Sequence, residues 1–171
     1  MRIQVGGLSE GVHPFRFHVL PSEVGLPTEF AEEIGVEGTV EKTNGQFLLS
    51  AEITASADLL CDRCLAPMRT PIAPRYRMWY VLEGGNTPRV DPAELQVIPA
   101  GLTVIELDED VRQTILLSVP LKHVCREDCR GLCPRCGKNL NEGPCGCVDT
   151  TPDSRWQGLS ALHNDTMKDP R

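Results

Sequence analysis

Val36-Glu37-Gly38-Thr39-Val40-Glu41-Lys42-Thr43-Asn44-Gly45-Gln46-Phe47-Leu48-Leu49-Ser50-Ala51-Glu52-Ile53-Thr54-Ala55-Ser56-Ala57-Asp58 reads as two strands joined by a tight turn. Asn44-Gly45 is a strong hairpin signal, because both turn residues must tolerate positive φ. Leu49, Ala51, Ile53 and Ala55 alternate along the second arm, so one of its faces is apolar. That arm runs directly into Cys61. The reading extends outward to strands at residues 2–6, 14–20, 75–82 and 95–98. Gly84-Gly85-Asn86-Thr87-Pro88 opens a polar loop after the third of these.

Beyond residue 100 the period changes. Leu107, Val111, Ile115 and Val119 recur every four residues, which predicts one buried stripe on a helix over 109–119. Asp108 is its expected cap and Pro120 its stop. Residues 121–148 hold six cysteines with several glycines and prolines, and little periodicity. A short helix over 154–163 would present Trp156, Leu159 and Leu162. The expected class is α+β: a mainly antiparallel β domain, barrel-like or sandwich, with one or two helices and a loop-rich four-cysteine zinc module. The expected divisions are residues 1–121, 122–150 and 151–171.

No apolar run approaches the roughly 18 residues of a membrane span. The first residues, Met1-Arg2-Ile3-Gln4-Val5, do not read as a signal peptide, so the expected compartment is the cytoplasm. Reduced thiols there favour metal over disulfides for eight clustered cysteines. Cys133-Pro134-Arg135-Cys136-Gly137 has the turn chemistry of a zinc knuckle: proline fixes one angle and glycine permits positive φ. Cys145-Gly146-Cys147 is a tighter pair. Zinc takes four ligands tetrahedrally and favours thiolate. The preferred division gives one zinc to Cys133, Cys136, Cys145 and Cys147, and a second to Cys61, Cys64, Cys125 and Cys129. One zinc at the C-terminal set alone is the alternative. A redox role for Cys61-Asp62-Arg63-Cys64 is a further alternative, weakened because Ala66-Pro67 and Pro71 leave no helix to follow it. Iron also occupies four-thiolate sites, and His123 is a conceivable substitute ligand beside Cys125.

The net charge of −7 argues against coating RNA by bulk charge. Yet residues 61–80 carry four basic and one acidic group, and residues 122–138 five and two. The candidate nucleic-acid contacts are therefore Arg63, Arg69, Arg75, Arg77, Lys122, Arg126, Arg130, Arg135 and Lys138, with Tyr76, Trp79 and Tyr80 available for stacking. The alternating Arg75 and Arg77 also fit a solvated strand face, with Tyr76 in a core. Each four-thiolate zinc centre adds a formal charge of about −2, which offsets the basic groups. No His-x-Glu deaminase pattern, phosphate loop or nucleophile elbow is present, so no catalytic residue is expected.

Cys61-Asp62-Arg63-Cys64-Leu65 after a β hairpin, Asp128-Cys129-Arg130-Gly131-Leu132-Cys133-Pro134-Arg135-Cys136-Gly137-Lys138-Asn139-Leu140-Asn141, a trailing Cys-x-Cys and the segment from Asp153-Ser154-Arg155-Trp156 onward together resemble the YceD family. These are the large ribosomal RNA subunit accumulation proteins. The resemblance spans about residues 36 to 162. It departs where the family often has Asp-Pro-Arg and this chain has Asp153-Ser154-Arg155. The resemblance implies a role in 23S ribosomal RNA accumulation or processing and hence in large-subunit assembly, and with no catalytic motif present a non-enzymatic factor is expected. Members are often encoded beside a large-subunit ribosomal protein, and some lack the C-terminal cysteines. The implied partners are ribosomal RNA or a large-subunit ribosomal protein, with no membrane and no small-molecule substrate. A protein-protein adaptor without RNA contact is the alternative. The oligomeric state is left open.

Overall fold

A computed structural model describes residues 1–147 of the chain. By its internal contacts the chain divides into two compact units, Met1–Cys129 and Arg130–Arg171. The expected helix at 154–163 lies outside the described residues.

The first unit is built on the hairpin. Strands β3 (Ile34–Thr43) and β4 (Gln46–Leu60) pair antiparallel around Asn44 and Gly45, at φ 51° and 74°. β2 (Gly11–Val19) pairs on the far side of β3. On the far side of β4 lie β5 (Pro67–Ile72) and β6 (Arg75–Leu82). These two continue one register, Ala55 facing Ile72 and Glu52 facing Arg75, with Ala73-Pro74 between them. The Ile53 N–H donates to the Pro74 carbonyl across the gap at 3.0 Å. β7 (Leu95–Ile98) adds in parallel to β6. A separate two-stranded sheet pairs β1 (Arg2–Gln4) with β8 (Val104–Glu106). Among the described residues the larger sheet runs β2-β3-β4-β6-β7 and stays open, so the expected barrel does not close. β2 and β7 share no hydrogen bonds that would join them.

Alternation sets the two faces. Val36, Val40, Phe47, Leu49, Ile53, Tyr76 and Tyr80 point to the buried side. Helix α1 (Asp108–Ser118) covers them through Leu107, Val111 and Ile115, the stripe read from the sequence. Asp108 is the first helical residue rather than the cap. Leu107 occupies the cap position with no side-chain hydrogen bond, and the Asp108 carboxylate pairs with the Met1 amino group. Val119 is extended, as the residue before a proline must be.

β3 pairs with β4 only as far as Thr54. Ala55–Leu60 therefore runs on with β5 as a two-stranded arm, about 20 Å long at strand rise. Residues 26–33 lie along its other edge: the Asp58 N–H donates to the Glu29 carbonyl at 2.7 Å, and Ser56 Oγ to Glu32 at 2.5 Å. Arg69 on β5 grips both Asp58 carboxylate oxygens at 2.8 and 3.1 Å and also Glu32. The tip of this arm carries Cys61 and Cys64.

Candidate metal centres

Residues 61–66 turn the arm. The Cys61 N–H donates to the Ala66 carbonyl at 2.9 Å, and the Leu65 N–H to the Cys61 carbonyl at 2.8 Å. Leu65 sits at φ 58°, the left-handed region that L side chains enter at a cost of about 1–2 kcal/mol. The second unit repeats this turn. The Cys133 N–H donates to the Lys138 carbonyl at 2.8 Å, and the Gly137 N–H to the Cys133 carbonyl at 2.9 Å, with Gly137 at φ 72°. Cys61-Asp62-Arg63-Cys64-Leu65-Ala66 and Cys133-Pro134-Arg135-Cys136-Gly137-Lys138 are thus one knuckle used twice. The signal was present in the sequence as a shared Cys-x-Arg-Cys.

Each knuckle gains two more sulfurs. In the first unit residues 122–129 pass the arm tip. The Asp62 N–H donates to the His123 carbonyl at 2.8 Å, and the His123 N–H returns to the Asp62 carboxylate at 2.6 Å. Arg63 donates to the carbonyls of Cys129 at 2.8 Å and Glu127 at 3.3 Å. These bonds bring Cys125 and Cys129 to Cys61 and Cys64. In the second unit Asn139 caps a 3-10 turn at Leu140–Glu142, and the chain returns through Gly143 to present Cys145 and Cys147.

The four Sγ atoms of Cys61, Cys64, Cys125 and Cys129 lie within 4.8 Å of one another, and so do those of Cys133, Cys136, Cys145 and Cys147. A tetrahedron with metal–sulfur bonds of about 2.3 Å has sulfur–sulfur edges of about 3.8 Å. Cys61–Cys129 stands at 3.9 Å and Cys64–Cys125 at 3.7 Å. None of the eight is in a disulfide. The donor sets therefore fit a thiophilic dication with all four positions taken by protein. The first cluster needs no histidine: His123 contributes its backbone, and its ring Nδ1 is buried without a protein hydrogen-bond partner.

Electrostatics divides each set. The Cys125 N–H lowers the Cys61 thiol to about 6 against the opposing effect of burial, with help from the Cys64 and Arg63 N–H groups. At Cys64 the Ala66 N–H pulls down, but burial and the Cys61 and Cys129 thiols carry the net shift upward. Burial, then Cys129, pushes Cys125 up to about 12. In the second set the Cys136 and Arg135 N–H groups lower Cys133 to about 6, while the Cys136 sulfur, then burial, raises Cys147 to about 12. Four adjacent thiols resist four negative charges, and a dication removes that resistance.

Several of the expected nucleic-acid residues have protein partners within their own unit. Arg63 holds the knuckle, Arg69 is paired with Asp58 and Glu32, Arg75 with Glu52, and Arg126 with Asp128. In the second unit Lys138 donates to the Pro144 carbonyl at 3.0 Å. Arg77 stays on the exposed sheet face, and Lys122, Arg130 and Arg135 are exposed. Tyr76 and Tyr80 point into the core, where both hydroxyls donate to Asp110, at 2.9 and 3.4 Å. They are unavailable for stacking. The signal for this lay in the alternation: Tyr76 and Tyr80 share parity with the apolar side of β6, and Arg75 and Arg77 do not.

Fold and clusters together define an open β-sheet protein with two four-cysteine groups, each built on the same knuckle and able to hold a metal ion. The chain belongs to the YceD family: the family described as large ribosomal RNA subunit accumulation protein YceD matches residues 49–163. It is similar to an uncharacterized protein of Mycobacterium tuberculosis, 26% identical over 157 residues that cover 88% of this chain and 75% of that one. It is also similar to large ribosomal RNA subunit accumulation protein YCED homolog 1, chloroplastic, of Arabidopsis thaliana, 31% identical over 64 residues, 37% of this chain and 20% of that one. The protein of the same name in Zea mays is 38% identical over 65 residues, 37% and 21% of the two chains. No solved structure matches the chain. Among the described residues no helix is long and apolar enough to cross a membrane.

Proposed function

We propose that this protein is a non-enzymatic factor supporting 23S ribosomal RNA accumulation and large-subunit assembly in the bacterial cytoplasm, folded around two structural zinc ions. The observation that carries this reading is the pair of closed tetrathiolate sets in a member of a family named for that process. Zinc supplies four coordinate bonds per site and no open position for substrate, which supports a structural role over a catalytic one. Cys61 and Cys64 hold the arm tip, Cys125 and Cys129 hold residues 122–129 against it, and Arg63 and Asp62 orient the join. Cys133, Cys136, Cys145 and Cys147 do the same for the second unit.

Charge favours a ribosomal protein over naked RNA as the direct partner. The unit Met1–Cys129 carries eleven basic and nineteen acidic side chains, a net of −8, before any thiolate is counted. Arg63, Arg69, Arg75 and Arg126, candidates for phosphate, have protein partners of their own. Basic ribosomal proteins suit such a surface, and phosphate does not. Affinity purification with and without ribonuclease is the test. Large-subunit proteins retained after RNA digestion support the contact; their complete loss points to RNA. Normal 23S ribosomal RNA levels in cells lacking the gene overturn the assembly role.

A further inference from the structure

The two clusters share a knuckle and differ in what completes it. In the first, Cys61, Cys64 and Cys129 are buried at 0, 6 and 4% exposure, and Cys125 alone is exposed. In the second, Cys133 is buried, Cys145 is half-buried, and Cys136 and Cys147 are exposed. The first set is closed across a separation of 61 residues between Cys64 and Cys125. It is locked by the two Asp62–His123 hydrogen bonds and by Arg63 on the Cys129 carbonyl. To open it, residues 122–129 must leave the arm tip. The second set is closed within one short stretch by Cys145-Gly146-Cys147, which follows a partly exposed turn. Opening it needs only local fraying, which lies at the low end of the free-energy range for native-state openings.

Metal exchange and thiol modification both follow access to sulfur. We propose that the Cys133, Cys136, Cys145 and Cys147 centre is the exchangeable metal site of this protein and its point of first oxidation, attacked at Cys136 or Cys147, while the Cys61, Cys64, Cys125 and Cys129 centre, three of whose sulfurs are buried, reacts far more slowly. The proposal rests on the two-zinc reading above. With a hydroperoxide as oxidant, an exposed thiolate attacks the peroxide oxygen and breaks the O–O bond, giving a sulfenic acid and hydroxide. A second thiolate of the set displaces the sulfenic oxygen as hydroxide and forms the S–S bond. Two thiolates have then lost two electrons, hydrogen peroxide has become two waters after taking up two protons, and the dication leaves because two of its ligands are gone.

The test uses the full chain, reduced and loaded with zinc. Elemental analysis comes first: a purified, reduced chain that binds no zinc overturns the two-zinc reading itself. Given two zinc ions per chain, hydrogen peroxide is added with a chromophoric zinc indicator present. Samples are quenched with N-ethylmaleimide and mapped by peptide mass. Two release phases are expected, one equivalent each, with the slow one on the order of a hundredfold slower because it waits on a structural opening. Disulfide in the fast phase falls among Cys133, Cys136, Cys145 and Cys147, with Cys61, Cys64 and Cys129 unmodified. The variant Cys136→Ser with Cys147→Ser binds one equivalent and shows the slow phase alone. Release of both equivalents in one phase, or first disulfide among Cys61, Cys64, Cys125 and Cys129, overturns the proposal.

Discussion

Metal removal separates the two units by what else holds them. The buried apolar cluster draws its members from Ile3 to Ile115. In the described part of the second unit only Gly131 and Cys133 are buried. A structural zinc ion in a small module contributes roughly 10–16 kcal/mol of apparent binding energy at neutral pH, and nothing else within residues 130–147 is comparable. Chelation under reducing conditions therefore releases the amides of Cys133, Gly137 and Leu140, whose hydrogen bonds run to Lys138, Cys133 and Gly131. Their protection from hydrogen exchange falls by about a thousandfold, equivalent to ~4 kcal/mol of lost local stability. The Ile53 amide, bonded to Pro74 in the middle of β4, keeps its protection. Hydrogen exchange read by mass spectrometry, with zinc measured in the filtrate, checks this. Unchanged protection at 133, 137 and 140 after complete zinc loss would refute the claim that the dication organises that unit.

Three further outcomes are expected. Arg63→Ala removes a charged donor from the Cys129 carbonyl, which costs about 1.5–3 kcal/mol and speeds zinc loss from the first centre alone, as read by competition with a chelator. Gly38→Ala places a Cβ 2.1 Å from the Ser50 carbonyl oxygen and 2.8 Å from Ala51 Cα, both neighbouring backbone, so the sheet must shift. Thermal unfolding should report a loss of about 1–3 kcal/mol. In the metal-free, reduced protein the thiol contribution to stability peaks near pH 9. Cys61 of the first cluster, lowered from 9.0 to about 6, contributes fully above 9 and loses that contribution as pH falls to about 6. Cys125, raised to about 12, contributes fully below 9 and loses that contribution as pH climbs toward 12. A denaturant midpoint rising steadily through pH 11 would contradict these shifts.

The hairpin, the helical stripe and strands β6 and β7 were legible because alternation, Asn-Gly and four-residue spacing are local signals. β5 was missed. Its Pro67 and Pro71 argue against a strand, and only a shared register with β6 along β4 makes one, at an edge where proline is tolerated. β8 has three residues and exists through its pairing with β1. Both cysteine groupings followed from spacing and the requirement for four donors. The fate of the arginines did not, because Glu52 faces Arg75 and Asp58 faces Arg69 only once the strands are paired. Position along the chain shows charge; cross-strand register decides whether that charge is already neutralised.

The separation of Cys64 from Cys125 also has a bearing on the time course of synthesis. The arm tip emerges with half a coordination shell, and its remaining donors follow only after β6, β7, β8 and α1 have been made. Closing so long a loop is entropically unfavourable unless the intervening chain has already collapsed. A dication held there would therefore fasten only once the sheet of Met1–Cys129 is in place, as a latch on a finished fold rather than a seed for one.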